Sequence, residues 1–419
     1  MAETTAAQES GDRLPVEIWI LVTGSFIVAV GMGIVSPALP AFATSFDVGV
    51  TATSFIVSAF AFMRLAFAPV SGRLVAWFGE RPIYVWGISI VGVSSAACAF
   101  AGSYWQLLVF RALGGTGSTM FTVSVVALLV RLAPPHLRGR ASGLWATSFL
   151  LGNVSGPIIG GLMVDHSLRL PFLSYGAALF LAAFVGWLLL RRSTLAAPVT
   201  GDVPAMSVRA AVRLPSYRAA LLSNFSTGWA VFGVRIALIP LFVVEVLRST
   251  QSMAGVALSV FAVGNAAVIM LSGRLSDRRG RKPMVLLGLG ISAVGSAALG
   301  VSGSVPVFLV ASLVAGIGAG LLNPAQNAAV ADLVGAQGKG GPVLAAFQMA
   351  ADVGAILGPV VTGVLADALS YQVAFGVTGL TAVLALTAWV FAPETRGSSG
   401  GLVESGGSGA GEEAGSAAK

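Results

Sequence analysis

Charge is scarce in this chain. Asp, Glu, Lys and Arg make up 10% of 419 residues, where a soluble globular protein carries roughly 25%. So few ionic groups cannot keep a chain of this length in water, and 56% hydrophobic residues make lipid the main solvent. Cysteine is nearly absent. Cys98 is the one cysteine and lies in an apolar run, which excludes an intrachain disulfide and a multi-cysteine metal site. The two histidines, His136 and His166, are far apart and lack ligand spacing, so neither a metal nor another cofactor is expected. There is no G-x-x-x-x-G-K-[ST] loop, and the longest soluble segments are about 25 residues, which argues against an ATP-driven pump. The string Gly316, Gly318, Gly320 is no nucleotide site, since it has no strand before it and no Lys after it.

The net charge of +7 does not imply a nucleic-acid partner, because the Lys and Arg residues sit in short clusters between apolar runs rather than along one solvated face. Ahead of the first run, Glu3, Glu9, Asp12 and Glu17 outnumber one Arg, the wrong charge for a signal peptide, and no small-residue cleavage site follows. The run reads as a retained first helix.

What is abundant is long apolar sequence. Crossing a ~30 Å hydrocarbon core takes about 20 apolar residues as a helix, since an open strand would leave backbone groups unpaired in lipid. Twelve such runs occur, at 18–41, 51–76, 83–101, 105–130, 139–164, 171–191, 218–245, 253–275, 283–301, 306–331, 342–366 and 372–391. Pro37, Pro40, Pro69, Pro157, Pro240, Pro324 and Pro359 fall in or at the ends of these runs and imply kinks. The 53 glycines suit close helix packing.

With a cytoplasmic N-terminus, 19 of the 24 Lys and Arg residues lie inside, Arg169 and Arg248 lie outside, and Arg64, Arg111 and Arg235 are embedded. This asymmetry places both termini in the cytoplasm of a multi-pass protein, read as bacterial inner membrane. The expected organisation is a cytoplasmic N-terminus (1–17), a six-helix bundle (18–191), a polar linker (192–217) with Pro198, Gly201, Asp202 and Pro204, a second six-helix bundle (218–391), and a disordered tail (392–419) rich in Gly, Ser and Glu.

The two sixes are related. At an offset of 201 residues, Gly72, Arg73, Leu74, Gly79, Arg81 and Pro82 align with Gly273, Arg274, Leu275, Gly280, Lys282 and Pro283. At nearly the same offset, Gly115 and Gly117 match Gly316 and Gly318 in each fourth helix, and Gly152, Gly156 and Pro157 match Gly354, Gly358 and Pro359 in each fifth. Three matches in order indicate a duplicated six-helix unit, the architecture many secondary transporters use for alternating access.

From Ile18 to Phe391 these residues resemble the Major Facilitator Superfamily. Its loop signature G-x-L-x-D-R-x-G-R-K stands intact as Gly273, Leu275, Asp277, Arg278, Gly280, Arg281 and Lys282. The first copy is degenerate: Ala76 and Trp77 replace the acidic and basic residues, followed by Gly79, Glu80 and Arg81. In the family this loop is implied to bias the conformational cycle, so the first-half version is expected to be weaker or rewired. Gly152, Gly156, Pro157, Gly160 and Gly161 match the antiporter motif G-x-x-x-G-P-x-x-G-G of the drug:proton exporter branch. A generic small-residue helix interface is the other reading. Arg111, followed by Gly115 and Gly117, resembles the motif in which an embedded arginine serves proton coupling. Such a residue costs ~2.5 kcal/mol or more to insert, so it should face a cavity or partner, or else snorkel to the interface. The resemblance implies an all-α membrane protein of twelve helices in two pseudo-symmetric bundles.

Arg64 and Arg235 lie near the middle of the second and seventh helices, and Asp352 near the middle of the eleventh. The family's topology sets helices two and eleven side by side, so an Arg64–Asp352 pair is expected, with Arg235 the competing partner. Asp352 is the best candidate to carry the proton. Three deep arginines against one firm carboxylate should favour neutral or anionic solutes. Asn224, Trp229, Asn323, Gln326 and Asn327 are candidates for the substrate cavity, or for hydrogen bonds between helices.

The leading reading is therefore proton-coupled efflux of a small molecule (a drug, metabolite or natural product) by a monomer in the lipid bilayer. Uptake of a small polar solute by symport or facilitated diffusion is the alternative, and a membrane receptor or enzyme the remote one.

Overall fold

The computed structural model describes residues 14–134, 137–191, 207–334 and 341–396. Most of the expected linker and the tail beyond Arg396 lie outside the described residues.

Twelve helices are long and apolar enough to span a membrane among these residues. They are α1 (Val16–Thr44), α2 (Val50–Phe78), α3 (Glu80–Ala99), α4 (Tyr104–Leu132), α5 (Arg138–Val164), α6 (Leu170–Leu190), α7 (Pro215–Glu245), α8 (Gln251–Arg279), α9 (Arg281–Gly300), α10 (Val305–Val334), α11 (Gly341–Ala368) and α12 (Tyr371–Phe391). A short helix at Val208–Arg213 precedes α7. Helix length sorts the bundle. α3, α6, α9 and α12 have 20 or 21 residues, a rise of roughly 30 Å that just matches the hydrocarbon core. The other eight have 27 to 31 residues and must tilt or protrude. α7 is interrupted by a π-helical stretch at Gly228–Val234.

Local chemistry sets the ends. Ser103, Thr250 and Ser370 accept hydrogen bonds from Gln106 N, Met253 N and Val373 N, capping α4, α8 and α12. A single residue joins α2 to α3 and another joins α8 to α9: Gly79 (φ 82°) and Gly280 (φ 105°), in a region where a side chain would be strained. The glycine of the loop signature is thus a corner requirement.

Duplication is visible in the backbone. Asp47 and Arg248, 201 residues apart, are the non-glycine residues with positive φ (57° and 52°) among the described residues. Within each half small residues set the helix spacing: a methyl group on Gly87 would come 2.6 Å from Phe121 N of α4, and one on Gly288 2.7 Å from Leu322 N of α10.

Among the described residues, the side-chain contacts that join α2 to α11 and α5 to α8 lie toward one end. Away from the chain termini, α2 packs on α11: Val50 N and Thr51 N donate to Asp367 Oδ1 and Oδ2 (3.1 and 2.8 Å), Thr51 Oγ1 donates to Oδ2 (2.6 Å), and Ser58 Oγ donates to Ile356 O (2.7 Å). α5 packs on α8 there, where a methyl group on Gly161 would come 2.9 Å from Ser252. At the other end of these four helices, a methyl group on Gly72, Gly139, Gly143, Gly273 or Gly341 would meet nothing within 4 Å. The bundle is closed at the far end and splayed at the end that carries the termini.

The expected spans fall within these helices, with differences of a few residues at the ends. The first residues after α12 are irregular but tied down: Glu394 accepts hydrogen bonds from Arg281 N and Lys282 N (2.9 and 3.0 Å), and Arg396 Nη1 donates to Arg278 O (2.5 Å). Residues 392–396 are fastened to the α8–α9 corner because the first N–H groups of α9 need acceptors.

Candidate functional site

The closed end defines a register. Val50 faces Asp367, Ser54 lies against Gly363 and Ser58 bonds Ile356. Continued toward the open end by six residues on α2 and four on α11, this antiparallel register brings Arg64 roughly level with Asp352. Both are half-buried. The expected Arg64–Asp352 ion pair is not formed: no N···O distance between them is within 4 Å, and Asp352 pairs with Arg235 no more than with Arg64. The two groups share a level on adjacent helices without an ion pair between them. Among the described residues, Asp352 is the carboxylate deepest within a span.

Arg111 and Arg235 use one device in the two halves. The Arg111 guanidinium lies 4.2 Å from the centre of the Phe60 ring, and that of Arg235 lies 4.5 Å from Phe261. Phe60 and Phe261 are 201 residues apart, so the same ring position of the repeat receives a cation from α4 in one half and from α7 in the other. Arg111 is 8% exposed and therefore does not snorkel. Its Nε has no hydrogen-bond partner, and it makes no ion pair among the described residues. A cation–π contact is worth about 0.5–2 kcal/mol, which falls short of the ~2.5 kcal/mol or more that insertion costs. Arg235 is better satisfied, donating from Nε to Val231 O (3.2 Å) and from Nη1 to Leu258 O (3.4 Å). It borders a cavity of ≈ 30 Å³ inside the second half.

The amide candidates divide. Asn224 and Gln326 are buried, with Asn224 Nδ2 donating to Phe347 O (2.6 Å) and Gln326 Nε2 to Asn224 Oδ1 (3.2 Å) and Asn323 Oδ1 (3.1 Å). Trp229 is buried too, its indole N–H on Thr378 Oγ1 (3.2 Å). These three hold α7, α10, α11 and α12 together, because a polar group inside a bundle finds a neighbouring helix before it finds solute. For them the hydrogen bonds are those of the helix-to-helix alternative. Asn323 is half-buried and Asn327 exposed, which leaves these two open to solute.

The glycines of α5 serve two contacts. Gly152, Gly156 and Gly160 lie against α1 at Ala29 to Ile34 so closely that no side chain fits. Gly161 and the Pro157 carbonyl instead meet Ser252 and Gly255 of α8, at the sealed boundary between halves.

The loop signature carries charge in both halves. Arg281 bonds Asp277 and, through Nε, Asp332 Oδ2 at the end of α10 (2.9 Å). In the degenerate copy Glu80 bonds Arg131 Nη1 at the end of α4 (2.6 Å). The first copy thus uses an acid on the loop and a base on the helix end, a partner that was not anticipated from sequence. Among the described residues, no three His, Cys, Asp or Glu side chains are grouped to hold a metal ion.

Comparison with known proteins agrees with this architecture. The model of the Major Facilitator Superfamily matches residues 21–247 and 220–412. Multidrug resistance protein 1 of Bacillus subtilis (strain 168) is 27% identical over 386 residues, covering 90% of this chain and 97% of that protein. The methylenomycin A resistance protein of Streptomyces coelicolor is 26% identical over 467 residues, covering 94% and 97%. Among solved structures, a D-xylose-proton symporter superposes with a TM-score of 0.74 at 17% identity, covering 91% of this chain and 98% of that one, a likeness of fold.

Proposed function

The chain belongs to the Major Facilitator Superfamily, and from that premise we propose that it is a proton-coupled exporter of a small organic molecule. It is a multi-pass membrane protein and a secondary active transporter. The observation that carries the coupling reading is the position of Asp352, the carboxylate deepest within a span among the described residues, on α11 near the level of Arg64 on α2.

Deprotonated, Asp352 attracts Arg64 and draws α2 and α11 together beyond Ser58. Protonated, it releases that attraction. A proton and a solute that compete for this state of the helix pair are exchanged across the membrane, because each favours a different conformation. Arg111, short of compensation over Phe60, supplies a second field that opposes charging of the cavity by a cation. Neutral and anionic solutes fit that field better.

Efflux is supported by the resistance proteins that the chain resembles over nearly its whole length and by the α5 glycines at the sealed boundary. The orientation follows the positive-inside rule, both termini on the cytoplasmic side of a bacterial inner membrane. The structure is then open to the cytoplasm, the side from which an exporter loads.

Proteoliposomes with an imposed pH gradient, screened with anionic, neutral and cationic compounds, test this reading. Export predicts solute moving against the proton flux. Solute moving with it would assign uptake, and no gradient-dependent flux for any compound would remove proton coupling.

A further inference from the structure

On the outer flank of the first half, at the end that carries the termini, α3 and α6 leave a groove of ≈ 410 Å³ between them. Arg81 and Arg191 stand at its rim, Trp86 and Trp187 line its walls, and Val85 and Leu190 lie within it. The indoles are 45% and 50% exposed, high values for the largest amphipathic side chain. The Arg191 guanidinium lies 5.0 Å over the Trp187 ring, which orients its charge along the groove. Among the described residues no carboxylate lines the groove, and the adjacent Glu80 is engaged by Arg131.

In the other half Lys282 stands at the repeat position of Arg81, and its Nζ donates to Val390 O and Ala392 O at the end of α12 (both 2.8 Å).

We propose that the α3–α6 groove binds an anionic phospholipid, with Arg81 and Arg191 holding the phosphodiester and the two indoles flanking the first part of an acyl chain. The location selects lipid over a soluble anion. α3 and α6 are the short peripheral helices whose outer faces meet the bilayer, and the two arginines mark the helix ends, at headgroup depth. The apolar floor suits a chain that a free phosphate lacks.

The test uses the full chain in phosphatidylcholine vesicles that contain a minor fraction of brominated phosphatidylglycerol or, in parallel, brominated phosphatidylcholine. Bromine quenches tryptophan at short range. Phosphatidylglycerol is expected to quench more, by an enrichment of roughly fivefold per arginine. The excess should fall by about that factor in R191Q, persist in R191K, and vanish in the W86F/W187F variant, which keeps both cations. Equal quenching by the two lipids would overturn the proposal, as would an excess unchanged in R191Q or in the double tryptophan variant. Loss of the excess on adding inorganic phosphate would also overturn it, in favour of a soluble anion.

Discussion

Glu80 and Arg281 occupy the same position in the two repeats, 201 residues apart, and carry opposite charge. Each reaches the same place in its own half, the last turn of the fourth helix, where Arg131 and Asp332 are likewise 201 apart and likewise reversed. The geometry of the link is kept and its polarity is exchanged. A link that works in either polarity ties the loop to the helix end, and the sign within each pair is free to vary as long as the two signs differ.

Neutralising one partner is therefore worse than reversing both. The four carboxylates and guanidiniums are only 12–25% exposed, so E80Q, which removes the charged acceptor of Arg131, is expected to cost about 2 kcal/mol. E80R/R131D, which copies the second half, should recover most of the loss. Thermal stability and gradient-driven flux of the two variants in proteoliposomes measure this, and a double variant no better than E80Q would refute it.

Gly49 cannot cap α2, and Asp367 of the other half does so in its place. At the repeat position Thr250 caps α8 by itself. Every opening of the far end must break this cap. D367A is expected to raise the population of the far-end-open state roughly tenfold or more, since charged hydrogen bonds contribute about 1.5–3 kcal/mol. G49T should do the same by a different route, because its Cβ would stand 3.1 Å from Asp367 Oδ2 and its hydroxyl would replace that carboxylate. Spin-label distances across the far end report both.

Asp352 and Arg64 separate coupling from transport. D352N is expected to abolish gradient-driven flux while leaving solute exchange at equal pH within a fewfold of normal. R64Q should weaken coupling as well, because the cation on which deprotonated Asp352 acts is gone. If D352N still couples to the gradient, the proton is carried elsewhere.

Partial burial pushes the Glu394 carboxyl up, but the backbone N–H groups of Arg281, Arg396, Lys282 and Thr395 outweigh it and hold the group below the usual carboxylate range. A depressed pKa stabilises the fold above the unfolded value of about 4.3, and the contribution disappears as pH falls through the lower folded value. E394Q should thus lower the melting temperature by roughly 2 °C at pH 7, on the scale of ~1 kcal/mol for a lost cap. The gap to the wild type should close below about pH 4.

Much of the fold was legible because lipid imposes a length, and length and apolarity are one-dimensional. The corner glycines and the α5 glycines were legible for a similar reason, since a missing side chain is unambiguous. The Glu80–Arg131 pair was hidden because identity at an offset of 201 does not register a reversal of sign. Aligned by charge, Glu80 with Arg281 and Arg131 with Asp332 would have disclosed it. Asn224, Gln326 and Trp229 could not be placed from sequence, as an amide that holds two helices and one that holds a solute differ only in what lies opposite. The Arg64–Asp352 pair was read at the right height and in the wrong state, because contact depends on which end of the bundle is closed.

The corners at Gly79 and Gly280 contain one residue each, so they hold no slack. A tilt imposed on α3 is therefore either passed to α2, which carries Arg64, or taken up at Gly79 alone, the single joint where the two helices can be uncoupled.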